Sequence, residues 1–413
     1  MTCRAATNTL PLPLTALSRA STDCLRLGAA LVVVLGLWFA PATAQTALEA
    51  TPPTQLARII PASGLWDSGG GFRFDLGKKK LLKIRQSVSG IACNFDAQQQ
   101  RVCLVVFDEG IEARYAVVGN GMLTANPEPI ALRAGNGAKG GELKGELDAE
   151  LDAEAAATDG RYFYVTGSHS AKRNDCSSNP ASRHVIRFRV DPATGRALRS
   201  PAGALADLAD TGRLWDIMQL QPALQAHVGE QQCLGSEPPP KAKNADRSLQ
   251  GRQGVNIESL AIRDGRLYFG FRGPALNGVA YALAVDADAL FSSGDVQAQL
   301  TPLALGPNRG IRDMVAVSNG LLLLAGPDDS PANRGVSWTV SWWDGRTAPG
   351  SPAVIKPKLL ATLDLSAVRL RTCDAELKPE AITVLAETPQ AYELLVLSDG
   401  LCDGGPMRFT VPR

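Results

Sequence analysis

The feature that most constrains this chain is a plan that recurs five times along its length. Each copy starts with a short apolar strand whose second residue is acidic or small and polar. The copies begin at Val88, Ala153, Ile257, Arg312 and Pro379. In three of them an Asp-Gly or Asn-Gly dipeptide follows soon afterwards, which is the strongest short-range signal for a β-hairpin. The sequence therefore predicts repeated units of antiparallel strands.

Repeats of this kind predict an all-β fold, a single β-propeller of five or six blades. The second residues of the five copies are separated by 65, 104, 55 and 67 positions. The 104-residue interval holds either a hidden sixth blade or a partly helical insertion at about residues 203–254. Because the last copy has room for only three strands, we expect the N-terminal segment Phe72–Leu76 to complete it and close the ring. Two stacked sandwich domains are the rival architecture.

The first 44 residues have the order of a secretory signal: basic residues, the apolar run Leu27–Ala40, and then Ala42-Thr43-Ala44. A membrane anchor is the alternative, but a helix that crosses a bilayer needs about 20 apolar residues. We expect residues 1–44 to be a signal peptide, 45–64 a flexible linker and 65–413 the propeller domain. The mature protein is expected in the periplasm or outside the cell, without stable membrane insertion.

Six cysteines follow residue 44, an even number that suits disulfides in an exported chain. In a propeller, the first strand of each blade begins on the face where the second strand ends, and this brings four of the cysteines to one face. The predicted pairs are Cys176–Cys233 and Cys373–Cys402 on that face, and Cys93–Cys103 across the first hairpin.

Charge and motif content argue against two classes of function. The chain has 42 Lys and Arg against 41 Asp and Glu, so no global field attracts nucleic acid. Residues Gly135–Gly140 match a dinucleotide fingerprint, but that motif requires a parallel βαβ unit, and we expect no nucleotide cofactor. The basic cluster Lys78–Lys80 is expected to mark a solvated strand edge.

First strands on the upper face of a propeller start beside its central channel, so the acidic residues of the repeats should converge there. Those residues are Glu154, Glu258, Asp313 and Glu380. A doubled Glu-Leu-Asp-Ala tract leaves Glu150 as an alternative to Glu154. Together with Asn256, these oxygen ligands predict a Ca²⁺ or Mg²⁺ site.

Two alternatives to a metal remain open. Lys378, Arg312 and Arg272 could neutralise the same carboxylates. The acids could also bond to backbone amides at the inner rim and serve only to close the propeller.

The second strands end on the same face and bring His169 and Arg272 there. A histidine can act as a general base, so the candidate catalytic residues are His169, Glu258, Arg272 and Lys378. An enzyme built from them would hydrolyse an ester, lactone or phosphoester. A metal would polarise the scissile group, a ring carboxylate would activate water, and Arg272 or Lys378 would hold negative charge.

Five ordered strings resemble those of a bacterial family known as domain of unknown function 3616. They are Tyr162–Ser170, Asn256–Ala261, Gly270–Pro274, Arg309–Asp313 and Lys378–Ile382. The resemblance covers about residues 85–413 and implies a propeller, but it supplies no activity. Where the family has Glu-Gly at strand starts, this chain has Glu-Ala or Glu-Ser.

These observations predict an exported, monomeric β-propeller that binds a small polar or anionic ligand on its upper face, with a divalent cation as the candidate cofactor. The alternative is a non-enzymatic scaffold that binds a protein partner through the insertion at residues 203–254.

Overall fold

Five mainly antiparallel sheets form a five-bladed β-propeller in the computed structural model, which describes residues 57–132, 151–235, 241, 253–347 and 353–413. The innermost strand of each sheet contacts the innermost strand of the next, and the fifth contacts the first, which closes the ring. The expected signal peptide, the Gly135–Gly140 motif and Glu150 lie outside these residues.

The strands follow the chain blade by blade. The N-terminal strand is β1 (Ala57–Ile59). Blade 1 contains β2 (Val88–Phe95), β3 (Arg101–Phe107), β4 (Glu112–Gly119) and β5 (Met122–Ala131). Blade 2 contains β6 (Ala153–Thr158), β7 (Tyr162–Gly167), β8 (Val185–Asp191), the short β9 (Arg196–Ala197) and β10 (Ala209–Thr211).

The other three blades come from the second half of the chain. Blade 3 contains β11 (Asn256–Arg263), β12 (Arg266–Gly273), β13 (Val279–Asp286) and β14 (Ala298–Ala304). Blade 4 contains β15 (Arg309–Val317), β16 (Gly320–Pro327), β17 (Thr339–Trp343) and β18 (Lys358–Leu363), with β1 added at its outer edge. Blade 5 contains β19 (Lys378–Glu387), β20 (Ala391–Asp399) and β21 (Met407–Pro412).

The predicted turn dipeptides connect first and second strands. Asp264 and Gly265 join β11 to β12, and both have positive φ, +52° and +75°. Two consecutive positive φ angles characterise a type I′ turn, whose twist matches that of the flanking strands. The hairpin signal in the sequence was therefore correct at this position.

The ring closes differently from the prediction. Phe72–Leu76 is not a strand, and Phe72 and Phe74 instead pack edge-to-face against Phe107 of blade 1. The added strand is β1, which pairs in parallel with β18 of blade 4, within the segment expected to be a linker. Blade 5 keeps three strands because the chain between β1 and blade 1 runs along β21, where Ala62 N–H donates to the carbonyl of Arg408.

Among the residues that the structure describes, the long interval between the second and third repeats contains no sixth blade. Its chain first supplies β10, the outer strand of blade 2, and then helix α2 (Arg213–Gln219). Leu214, Ile217 and Met218 of that helix are buried against blades 2 and 3. The partly helical insertion was therefore predicted correctly, although part of it lies outside the described residues.

Two further helices lie outside the blades. Lys78–Lys80, expected at a strand edge, begins helix α1 (Lys78–Arg85), which buries Ile84. The prediction was wrong because a charged cluster does not by itself distinguish an exposed helix from an exposed strand. A short helix, α3 (Ala287–Leu290), follows β13. None of the helices in the described ranges has the length and apolar content needed to cross a membrane.

The three predicted disulfides are confirmed. The Cα atoms are 3.9 Å apart in Cys93–Cys103, 4.8 Å apart in Cys176–Cys233 and 6.0 Å apart in Cys373–Cys402. Disulfides persist in oxidising compartments, so the pairs are consistent with the expected periplasmic or secreted location.

Candidate functional site

Every innermost strand contains a β-bulge at the same place, near its start. At each bulge one residue has no partner in the neighbouring second strand, and such residues can be aimed away from the regular sheet. The five bulge residues are Ser89, Glu154, Glu258, Arg312 and Glu380. The fold therefore places these five residues at equivalent positions around the central channel.

The bulge residue of blade 4 is Arg312. It lies one position before Asp313, the residue that the repeat pattern predicts at the channel. Arg312 is only 2% exposed. Its Nε lies 3.0 Å from Glu258 Oε2, and its guanidinium also pairs with Glu380. One cation thus links the carboxylates of blades 3 and 5 across the channel.

The strand that carries Arg312 lies unusually close to the end of β12. A Cβ atom at Gly310 would lie 2.5 Å from the Cα atom of Arg272, so any larger residue would push the two strands apart. Glycine at this position therefore allows the Arg272 and Arg312 side chains to enter the same site.

Arg272 is held by two carboxylates. Its NH1 donates to Glu258 Oε1 at 2.7 Å, and its Nε lies 3.1 Å from Asp329 Oδ1. Asn256 Nδ2 donates to the same two acids, at 3.0 Å to Glu258 and 3.1 Å to Asp329. Arg173, from the loop after β7, adds a contact of 3.2 Å to the fully buried Asp329.

The charges of this cluster are set by burial and by neighbouring ions. Burial opposes the charge on Arg272, but Asp329 and Glu258 outweigh it and raise its pKa. Burial and the repulsion of Arg272 lower the pKa of Arg312 to about 10, which leaves it charged at neutral pH. Burial tends to protonate Asp329, but Arg272 and Arg173 keep its pKa below the usual range.

Asp329 was missed by the sequence reasoning. It follows the second strand of blade 4, as Arg272 ends the second strand of blade 3. The general rule that second strands end on the upper face could have identified it. The signal in the sequence is the Asp328-Asp329 pair, which follows an apolar second strand, as Arg272 lies at the end of one in blade 3.

A group of acids lies on the blade 1 and blade 2 side of the channel. Burial, followed by repulsion from Asp152 and Glu258, raises the pKa of Glu154. Burial and repulsion from Asp399 and Asp152 likewise raise the pKa of Asp108. The Glu154 side chain makes no hydrogen bond or ion pair with any residue that the structure describes. It is therefore a carboxyl group that retains a proton at higher pH than a free glutamate.

The residues predicted to bind a metal do not form a ready ligand shell. Both oxygens of Glu258 face guanidinium groups, and Glu380 pairs with Arg312. Asp313 accepts backbone N–H groups from Met314 and Ile382, at 2.8 and 2.7 Å. Asn256 Oδ1 is buried and has no hydrogen-bond partner in the part of the chain that the structure describes. A divalent cation at this set would have to displace Arg312 or Arg272.

Within the described ranges, one group of three His, Cys, Asp or Glu residues has its ligand atoms within 4.8 Å of one another: Cys373, Asp374 and Cys402. The two cysteines form a disulfide, so they supply no thiolate. This group therefore offers no suitable shell for Ca²⁺ or Mg²⁺.

The two remaining candidate catalytic residues occupy different surroundings. His169 is fully buried, and its Nδ1 lies 3.0 Å from the carbonyl oxygen of Gly167. Lys378 is partly exposed and pairs with Glu376 and with Asp399, the latter at 3.3 Å. Of these two, Lys378 lies beside Arg272 and Arg312 in a common cavity.

That cavity is a groove of about 550 Å³. Its lining includes five basic residues, Arg58, Arg272, Arg312, Arg334 and Lys378, against two acidic ones, Asp364 and Glu376. The indole ring of Trp338 forms part of the wall. A groove of this size suits a small molecule, and its lining suits a polar ligand with negative charge.

The family model described as "Protein of unknown function (DUF3616)" matches residues 141–189 and 249–404. The chain belongs to this family. Within this DUF3616 protein, the matched residues include four of the five bulge positions and Asp329. A comparison with curated proteins finds no match.

Solved structures with a similar architecture share little sequence with this DUF3616 protein. A GH43 β-1,3-galactosidase is 10% identical, with a TM-score of 0.38, and the alignment covers 85% of this chain and 94% of that one. The calcium-binding protein regucalcin from Agrobacterium tumefaciens is 12% identical, with a TM-score of 0.34 and coverages of 86% and 95%. The GH43 endo-arabinanase from Bacillus licheniformis is 10% identical, with a TM-score of 0.31 and coverages of 84% and 95%. Such distant likenesses carry no argument about function.

Proposed function

We propose that this protein is an exported, monomeric propeller that binds a small polar ligand with an anionic group in the groove on its upper face. The observation that supports this most directly is the groove lining, in which five basic residues face two acidic ones. Arg272, whose side chain is 15% exposed, would contact the anionic group at the inner end. The positive charge of the buried Arg312 would support it, and Lys378 would assist from the side.

The inner guanidinium groups are fixed before any ligand arrives. Glu258 and Asp329 hold Arg272, and Glu258 and Glu380 hold Arg312. Because these side chains are already immobilised, a ligand loses little affinity to their ordering. Guanidinium groups also match the planar, bidentate geometry of carboxylate and phosphate.

Hydrolysis of an ester, lactone or phosphoester is a second candidate function, favoured by Glu154. A carboxyl group with a raised pKa can donate a proton to a leaving group. Arg312 interacts electrostatically with the Glu154 carboxyl group, so both act in the same part of the channel. Arg272 and Arg312 would then stabilise the negative charge that develops in the transition state. The metal-assisted version and the scaffold version are alternatives, and the experiment below has a separate outcome for the metal version.

The experiment is calorimetric titration of the purified protein with inorganic phosphate and D-gluconate. We expect binding by the wild type and at least tenfold weaker binding by Arg272→Lys, which keeps the charge but loses the forked geometry. Lys378→Ala provides a second variant at a partly exposed site, should Arg272→Lys fail to fold. Arg369→Ala, an exposed arginine outside the groove, is the matched control and should bind normally.

The same proteins are assayed for hydrolysis of glucono-δ-lactone and p-nitrophenyl phosphate, with Glu154→Gln added. Loss of turnover in Glu154→Gln with binding retained would support the hydrolase. If neither anion binds to the wild type, the proposed function is wrong. Stoichiometric Ca²⁺ or Mg²⁺ in protein purified without chelator would favour the metal version instead.

A further inference from the structure

Within the groove, Arg334 differs from the other four basic residues in its surroundings. Arg58 pairs with Asp364 at 2.9 Å, and Lys378 pairs with Glu376 and Asp399. Arg272 and Arg312 are held by the buried acids described above. Arg334 is exposed and makes no hydrogen bond or ion pair with any described residue. The groove therefore contains one positive charge that its own described surroundings do not neutralise.

We propose that Arg334 is a specificity-determining residue that recognises a second anionic group at the mouth of the groove. This inference rests on the proposed function, in which Arg272, supported by Arg312, contacts the first anionic group. The ligand class that follows is a small hydroxylated dianion with one anionic group near each end.

The backbone that carries Arg334 is fixed by hydrogen bonds on both sides. Asn308 Nδ2 donates to the carbonyl oxygen of Ala332 at 3.0 Å, and Asn333 Nδ2 donates to that of Asp328. On the other side, Arg309 Nε donates to the carbonyl oxygen of Ser337 at 3.2 Å. A guanidinium on a fixed loop can select a ligand at lower entropic cost than one on a loose loop.

The rest of the lining indicates what connects the two anionic groups. Asn333, Ser337 and Ser366 lie along the groove, and each side chain keeps further hydrogen-bonding capacity beyond its bond within the protein. Trp338 also lines the groove and offers an apolar surface. Hydroxyl groups on a short carbon chain or sugar ring would use both. The volume of about 550 Å³ lies in the range of small-molecule sites.

The test compares three six-carbon probes by calorimetry. D-gluconate has one terminal carboxylate, D-glucarate has two, and 6-phosphogluconate has a carboxylate and a phosphate. We expect the wild type to bind one or both dianions about tenfold more tightly than gluconate. In Arg334→Ala, the ratio of dianion affinity to gluconate affinity should fall to about the value that the extra ligand charge alone produces. Arg334→Lys should retain part of the wild-type ratio. Arg369→Ala controls for the loss of one surface charge.

The outcomes separate this inference from the function on which it rests. Binding of gluconate with an unchanged dianion preference in Arg334→Ala would overturn the role of Arg334 and leave the proposed function standing. Equal binding of gluconate and both dianions by the wild type would also overturn the role of Arg334 while the proposed function stands. If the wild type binds none of the three probes, the proposed function itself is wrong. The relative affinities of glucarate and 6-phosphogluconate distinguish a second carboxylate from a phosphate.

Discussion

At the scale of single residues, His169 shows how burial determines protonation. The ring has no exposed surface, and its Nε2 has no hydrogen-bond partner in the described structure. Burial lowers the pKa of His169 to about 4, although the bond to the Gly167 carbonyl acts in the opposite direction. Since the neutral ring is favoured, His169 fits a structural role in blade 2 better than the role of a base that takes up a proton near neutral pH.

This shift predicts a pH-dependent loss of stability. Well above pH 6.5, the ordinary pKa of a histidine, His169 is neutral in both the folded and the unfolded chain and does not change the stability. As the pH falls from 6.5 toward 4, the unfolded chain takes up a proton that the folded chain does not, so stability falls. Between pH 7.5 and 5 we expect this histidine to reduce the free energy of unfolding by about 2 kcal/mol.

The measurement is urea unfolding at the two pH values for wild type and His169→Asn. Asparagine tolerates the positive φ of +55° at this position and can donate to the Gly167 carbonyl. The variant should therefore lose about 2 kcal/mol less than wild type on acidification. An identical loss in both proteins would show that His169 does not titrate as its burial implies.

The difference between Asp313 and Arg312 shows the limit of residue assignment from sequence. The repeat has an acidic residue near the start of four of its five first strands, and at Glu154, Glu258 and Glu380 this residue is the bulge residue. At blade 4 the bulge falls one position earlier, and a bulge depends on backbone pairing that composition does not reveal. A shift of one residue in a strand exchanges the two faces, so an acid was predicted where the protein has a base.

At the scale of structural elements, Asp403 ties the N-terminal segment and helix α1 to blade 5. Its carboxylate accepts from Ser68 Oγ at 2.8 Å, from the Phe72 amide at 2.9 Å and from Arg85 Nε at 2.9 Å. The residue is 1% exposed and has a φ of +56°. One buried carboxylate thus joins segments that are more than 300 positions apart in the chain.

Substitution of Asp403 should weaken this junction. Asp403→Asn keeps the volume and tolerates the left-handed backbone, but it leaves Arg85 without its counter-ion. We expect a loss of about 2 kcal/mol in the free energy of unfolding, because the change leaves the partly exposed Arg85 without its counter-ion and places an amide donor where Asp403 accepts hydrogen bonds. Urea unfolding of the purified variant measures it.

Glu393→Gln on β20 is the matched control for that change. Its carboxylate is partly exposed and lies 3.8 Å from Arg408, so we expect its loss to cost less than about 1 kcal/mol. Equal effects of the two substitutions would mean that Asp403 does not hold the junction.

The sequence was more informative about the hairpins within each blade than about which N-terminal segment adds a strand to a blade. Hairpins are local, and their turn residues and apolar runs can be identified within a few positions. By contrast, β1 has three residues and pairs with a strand at the far end of the chain. So short a strand has no periodicity of its own, and only the unfilled edge of blade 4 selects it.

At the scale of the whole molecule, the disulfides restrain the ring unequally. Cys176–Cys233 joins positions 57 residues apart and fixes the loop that carries Arg173, whereas Cys93–Cys103 joins positions 10 apart within one hairpin. Their pairing was predictable because propeller topology determines which strand ends share a face.

Removal of each pair should therefore have a different cost. In the chain-entropy description, a longer closed loop restricts the unfolded state more. We expect the double substitution Cys176→Ser/Cys233→Ser to reduce the free energy of unfolding by about 1.5 kcal/mol more than Cys93→Ser/Cys103→Ser. Urea unfolding under non-reducing conditions compares them, and an equal or reversed order would contradict this account.

The strand β1 also has a consequence for the order in which the protein can be completed. Arg58 of β1 pairs with Asp364, which directly follows β18, and the two residues are 306 positions apart. A ribosome therefore makes β1 long before β18 exists, and the first strand of the propeller to emerge must wait for one of the last. Blades 1 to 3 can form from local hairpins as the chain lengthens. The pairing of β1 with β18 at the edge of blade 4 can form only when nearly all of the chain is available.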